Sequence, residues 1–123
     1  MRISQIYRPH ALTCRPEDSL LDAARAMLAE QVGALAVLHA DRVVGILSER
    51  DVLRAVAQGA DVATATVADF ASHPVQTALP EEDATQVARR MLDAGVRHLP
   101  VQRDDTLLGV ISMRDLLAVE SWM

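Results

Sequence analysis

The sequence predicts a mixed α/β (α+β) fold made of two copies of one small β-α-β-β-α unit. Three observations predict it. The chain repeats itself, without a gap from Thr13 to Val56, at a constant shift of 64 residues. Each copy sets a run of helical periodicity before two short apolar runs that read as a hairpin. Half of the 123 residues are hydrophobic, while Tyr7, Phe70 and Trp122 are the only aromatics, so the core must be aliphatic and the elements small. Residues 1–60 are taken as the first copy and 61–123 as the second.

The elements follow in order. The lead-ins match poorly in identity but agree in character: "ISQIY" at 3–7 lies over "VADFA" at 67–71. Thr13 then falls on Thr77, Pro16 on Pro80 and Glu17 on Glu81. Ser19 with Asp22, and Asp83 with Gln86, have the spacing of a helix cap and its reciprocal partner. The helices behind them carry Leu20, Ala24, Met27 and Leu28 in one copy, and Ala84, Ala88, Met91 and Leu92 in the other. Gly33 and Gly95 are the expected helix stops. The strands are "ALAVL" and "VVGIL" joined by "HADR", then "HLPVQ" and "LLGVI" joined by "RDDT". A second helix opens at Glu49 and at Met113. The stretch "AQGADVATATVADFASHP" is the connector. A unit of about 60 residues is marginal alone, so the copies are expected to pack together.

Composition excludes several classes of function. The net charge of −5 argues against nonspecific binding to nucleic acid or an anionic membrane. No apolar run approaches transmembrane length, and the N-terminus lacks a secretory apolar core. With Cys14 as the only cysteine, no intrachain disulfide forms, and a cytoplasmic location is the expectation. Cys14 reads as a small packing residue, replaced by Ala78 in the second copy. His10, His39, His73 and His98 show no pairing at helical spacing, so no metal site is expected. No nucleophile elbow and no phosphate loop is present, and no catalytic residue is assigned. There is no lysine, so an anion site must use arginine, histidine or backbone N–H groups. The terminal Trp122 could dock on a partner or on the protein's own surface.

The chemistry concentrates where each copy ends its last strand, in "GILSERD" and "GVISMRD". Ser48, Arg50 and Asp51 fall on Ser112, Arg114 and Asp115. One reading is structural: each serine caps a helix and each aspartate is a first-turn acid, worth about 0.3–1 kcal/mol. The other is a ligand site. An ionised carboxylate accepts from both hydroxyls of a ribose, and the serine with the helix N-terminus suits a phosphate. The two readings are compatible.

These endings, the openings "LTCRPEDSLLDAARAML" and "QTALPEEDATQVARRML", and the strand entries "VGALAV" and "VRHLPV" resemble a tandem pair of CBS domains, also called a Bateman module. The resemblance covers nearly the whole chain. It implies a pseudo-twofold pair packed sheet to sheet, with clefts between the repeats. It implies binding of adenosine compounds (AMP, ADP, ATP or related ligands) in a regulatory, non-enzymatic role, with no cofactor beyond that ligand. A stand-alone pair implies a separate, unidentified regulated protein, or else a pure assembly module with empty clefts. The resemblance also implies a homodimer, with Leu20, Met27, Val52, Leu53, Leu116 and Leu117 as apolar residues shared between core and interface. Arg97 and His98 stand where the family often places phosphate-facing basic residues. The implied site joins them to Ser48, Arg50 and Asp51; Ser112, Arg114 and Asp115 then meet only Gly33 and Ala34. Thr13 and Thr77, at the opening of each copy, complete the candidate ligand-binding set.

Overall fold

Local signals set most of the elements, and the structure, a computed structural model, describes residues 1–9, 12–73 and 76–120. His10 and Trp122 lie outside them. A 3-10 turn, Ile3–Gln5, and a short strand β1, Arg8–Pro9, lead in. Then come β2 Thr13–Cys14, α1 Leu20–Glu30, β3 Ala34–His39, β4 Arg42–Ser48 and α2 Glu49–Ala57. A single-turn helix α3, Val67–Phe70, precedes α4 Ala84–Ala94, β5 His98–Arg103, β6 Thr106–Ser112 and α5 Met113–Glu120. The result is the mixed α/β fold expected, with two three-stranded sheets in the orders β2-β3-β4 and β1-β6-β5.

The caps are the ones the sequence marks. Ser19 accepts from the Asp22 N–H at 3.1 Å, and Asp83 caps α4 by accepting from the Thr85 N–H at 3.1 Å. Both hairpins turn through two residues at positive φ: Ala40 (50°) with Asp41 (63°), and Asp104 (50°) with Asp105 (66°). This mirror-image turn matches the twist of the flanking strands. The first helix stop differs from expectation. Gln31, not Gly33, takes the left-handed conformation (φ 56°, ψ 44°), and its N–H reaches the carbonyls of Met27 and Leu28. Gly95 holds the equivalent place after α4, at φ 70°. The turn falls where the apolar stripe ends, so a glutamine takes it there at a cost of about 1 kcal/mol.

The 57–74 stretch is more than a connector. The chain forms two compact units, Leu12–Val75 and Met1–Ala11 with Gln76–Met123. The repeats and the compact units therefore divide the chain differently, by an exchange of lead-ins. In the Leu12–Val75 unit, Leu20, Met27, Leu35, Leu47 and Ala55 pack with Val67, which is fully buried. In the split unit, Val87, Met91, Leu99, Val101, Ile111 and Leu116 pack with Ile3, also fully buried. Ile3 and Val67 are equivalent by the 64-residue shift, and burying such a side chain contributes about 1.5–3 kcal/mol. Cys14 is in the first core, and Ala78 takes its place in the second. Burial, then the charge of Asp18, push the Cys14 thiol up to about 12, so the group is neutral at ordinary pH.

Each lead-in crosses its sheet at a glycine. β1 pairs antiparallel with β6, Arg8 opposite Val110 and Pro9 opposite Gly109. In the other unit Ser72 pairs with Ile46 through two backbone bonds of 2.9 and 3.1 Å. A Cβ on Gly45 would stand 2.9 Å from the Ser72 carbonyl oxygen, and one on Gly109 would overlap the Arg8 carbonyl and the Tyr7 ring. Gly45→Ala is therefore expected to lower stability by about 1–3 kcal/mol in urea unfolding, and Gly109→Ala by more. Alanine variants as stable as the native chain would show that the crossing strands yield freely.

Candidate functional site

The candidate residues sit where β4 enters α2 and where β6 enters α5. Both junctions are built by backbone demand: the first N–H groups of a helix lack partners within it. The Glu49 N–H finds the Gly33 carbonyl at 3.0 Å, and the Met113 N–H finds the Arg97 carbonyl at 2.8 Å. The serine and aspartate satisfy others. At the first junction the Asp51 N–H donates to Ser48 Oγ at 3.3 Å. Asp51 Oδ2 accepts in return from the Ser48 N–H at 2.8 Å and from Ser48 Oγ at 3.1 Å. The structural reading is thus met in full, as a reciprocal capping box.

The second junction repeats the box more loosely. The Asp115 N–H donates to Ser112 Oγ at 3.1 Å, while the Ser112 N–H reaches Asp115 Oδ2 at 3.4 Å. The second oxygen of each aspartate meets an arginine, but from different places. Asp51 Oδ1 lies 3.3 Å from Nη2 of Arg54, one turn along α2. The same Nη2 donates to the Phe70 carbonyl at 2.9 Å, so Arg54 ties the junction to α3. Asp115 Oδ1 instead accepts from Nε and Nη2 of Arg8, both at 3.4 Å, from the lead-in strand. The Asp51 side chain is 6% exposed and that of Asp115 14%, while the Arg8 side chain is 66% exposed. Asp51 is buried, Asp115 is slightly more exposed, and the arginine on Asp115 is the more solvent-exposed of the two (66% against 50% for Arg54).

The neighbouring strand fixes what stands beside each serine. Ala34 is opposite Ser48 in the β3–β4 ladder, and His98 is opposite Ser112 in the β5–β6 ladder. Half-buried His98 and the backbone of Arg97 therefore adjoin the Ser112 junction, and the side chains of Arg97 and Arg114 are exposed. Ser48, Arg50 and Asp51 belong to the other unit, where Gly33 and Ala34 are the local neighbours and Arg50 is exposed. Thr13 is exposed on β2. Half-buried Thr77 is drawn into a polar contact instead: its carbonyl accepts from Arg90 Nη2 at 2.9 Å, and its Oγ1 from Gln102 Nε2 at 3.4 Å. Among the described residues no group of three or more His, Cys, Asp or Glu side chains stands together as a metal site.

Sequence reasoning missed Arg8, Arg54 and Arg90. Arg54 carried a signal, since it lies three residues beyond Asp51 on one helix face. Arg8 carried none, because its partner is 107 residues away.

A buried carboxylate with this many partners is worth more than a first-turn acid. Asp51→Ala is expected to cost about 2–4 kcal/mol, from the lost cap, the stranded Ser48 N–H and the released Arg54. Asp115→Ala should cost about 1–2 kcal/mol, its bonds being longer and its partner exposed. Denaturant unfolding of both variants checks the order; equal losses below about 1 kcal/mol would mean the two junctions are only surface caps.

Comparison with known proteins accounts for the doubled ending and for the fold around it. The CBS domain matches residues 3–58 and 67–121. An uncharacterized protein of Methanopyrus kandleri is 28% identical over 124 residues, which cover 98% of this chain and 63% of that protein's length. The chain thus spans less than two-thirds of that relative. A solved CBS-domain containing protein from Agrobacterium tumefaciens is 32% identical, with a TM-score of 0.84 over 91% of this chain and 90% of its own. The CBS domain pair of protein MJ0100, solved with 5′-methylthioadenosine and S-adenosyl-L-methionine, shares the fold at a TM-score of 0.92 and 21% identity, over 99% of this chain and 97% of its own. Two matched domains fill almost the whole of this chain: it belongs to the CBS domain family, as a tandem pair.

Proposed function

We propose that the chain is a cytoplasmic regulatory module that binds an adenosine-containing ligand, such as AMP, ADP, ATP or a related compound, and passes the state of that site to another protein. One observation carries the reading. At the β6–α5 junction the partly exposed carboxylate of Asp115 stands with Ser112, His98 lies opposite that serine, and the sequence neighbours Arg97 and Arg114 are exposed. A carboxylate for ribose hydroxyls beside cations for phosphate is the chemistry a nucleotide needs. The same fold holds adenosine compounds in the MJ0100 domain pair. The Ser48–Asp51 junction offers the same residue types, but its carboxylate is enclosed, so the two are proposed to be unequal. The role proposed is regulatory rather than catalytic, since the domain matched carries no assigned acid–base or nucleophile pair here.

A second reading, an assembly module with no physiological nucleotide, has its own observation. Of the apolar residues expected to serve both core and interface, Leu20, Met27 and Leu116 are buried, whereas Leu53 and Leu117 are exposed by 69% and 57%. Leu28 and Leu92, equivalent by the shift, are exposed as well. Faces of this kind suit a homodimer, which is compatible with ligand binding.

The test is calorimetric titration of adenosine, AMP, ADP and ATP into the native chain and into Arg97→Ala, with sedimentation of the same samples. The proposal expects phosphate-dependent affinity, with the phosphorylated ligands weakened by roughly ten- to a hundred-fold in Arg97→Ala while adenosine hardly changes. It also expects a dimer at tens of micromolar. A dimer that binds none of the four ligands would favour the assembly module.

A further inference from the structure

The Arg8–Asp115 pair has a consequence for the proposed site, and it rests on that reading. We infer that Arg8 is a built-in competitor for Asp115, so that the N-terminal lead-in sets the affinity of the β6–α5 junction for its ligand. Asp115 Oδ2 accepts from the Ser112 N–H and keeps one further acceptor position, while Arg8 donates twice to Oδ1. A ribose that donates both of its hydroxyls to Asp115 must therefore take at least one position that the guanidinium holds. The competitor is made to let go. Both of its bonds are long at 3.4 Å, and its side chain is mostly in water. The first junction is built the other way. Arg54 is held on its own helix, is bonded at 2.9 Å to the Phe70 carbonyl, and faces a carboxylate that Ser48 binds twice through its oxygen Oδ2. The equivalent of Arg8 there is Ser72, whose side chain carries no charge. Competition is therefore a property of one junction only. It also links ligand binding to the lead-in, because Arg8 lies in β1, directly opposite Val110 of β6, five residues after the buried anchor Ile3.

Adenosine is the probe, because it is neutral and carries no phosphate for the freed arginine to pair. It is titrated into the native chain and into Arg8→Ala at about 50 mM and about 500 mM salt. Exposed ion pairs are weak, so Arg8→Ala should bind adenosine about two- to five-fold tighter at low salt. Binding to the native chain should tighten as salt screens the pair, and binding to Arg8→Ala should not. The salt series on the native chain needs no substitution, so the outcome does not hang on the behaviour of a variant. Equal affinity and equal salt response in the two proteins would overturn the role of Arg8 and leave the adenosine site standing. Adenosine binding to neither protein, at either salt, would overturn both.

Discussion

The close passage of a lead-in strand over a glycine is the contact on which the rest of the structure depends. Ser72 bonds Ile46 in both directions beside Gly45, and Arg8–Pro9 pairs with Val110 and Gly109 in the same way. Only a residue without a Cβ allows the backbone that near. The crossing seats Val67 in one core and Ile3 in the other, so each compact unit is finished by a segment that the repeat assigns elsewhere. Two units of this size have little apolar area to spare, and one fully buried aliphatic anchor is a large share of a small core.

The crossings also determine what the aspartates meet. Because α3 docks beside α2, the Phe70 carbonyl is there to hold Arg54 against Asp51. Because β1 lies along β6, Arg8 reaches Asp115. The same three-residue ending thus yields two junctions of different character. In one, capping, burial and a fixed arginine make the aspartate a structural group. In the other, the bonds are longer and the arginine is mostly in solvent, the features on which the proposed exchange rests. Capping and ligand binding are not rivals, since a carboxylate has more acceptor positions than one N–H can fill.

What was legible in the sequence was what short-range physics decides. The helix caps at Ser19 and Asp83, the hairpins around Ala40–Asp41 and Asp104–Asp105, and the helix starts after Ser48 and Ser112 are fixed by neighbours within a few residues. The first helix stop departs from the glycine expected because glycine is only the easiest residue for a left-handed turn, and Gln31 accepts it. The exchange of lead-ins was hidden by the repeat itself: Ile3 and Val67 occupy equivalent positions, and nothing in the letters says which core each enters. The burial of Asp51 and the pairing of Arg8 with Asp115 depend on that exchange, so they were hidden with it. Of the two basic residues at the entry of β5, His98 stands opposite Ser112 in the β5–β6 register.

The central claim is that the Ser112–Asp115 junction receives an adenosine ligand and that Arg8 gives way to it. Backbone amide shifts recorded by NMR during titration with AMP test this most directly. The account predicts saturable shifts at Ser112, Arg114 and Asp115, together with Arg8 and its strand partner Val110. Saturable binding that leaves these amides unmoved, with shifts gathered at residues away from the β6–α5 junction, would contradict it.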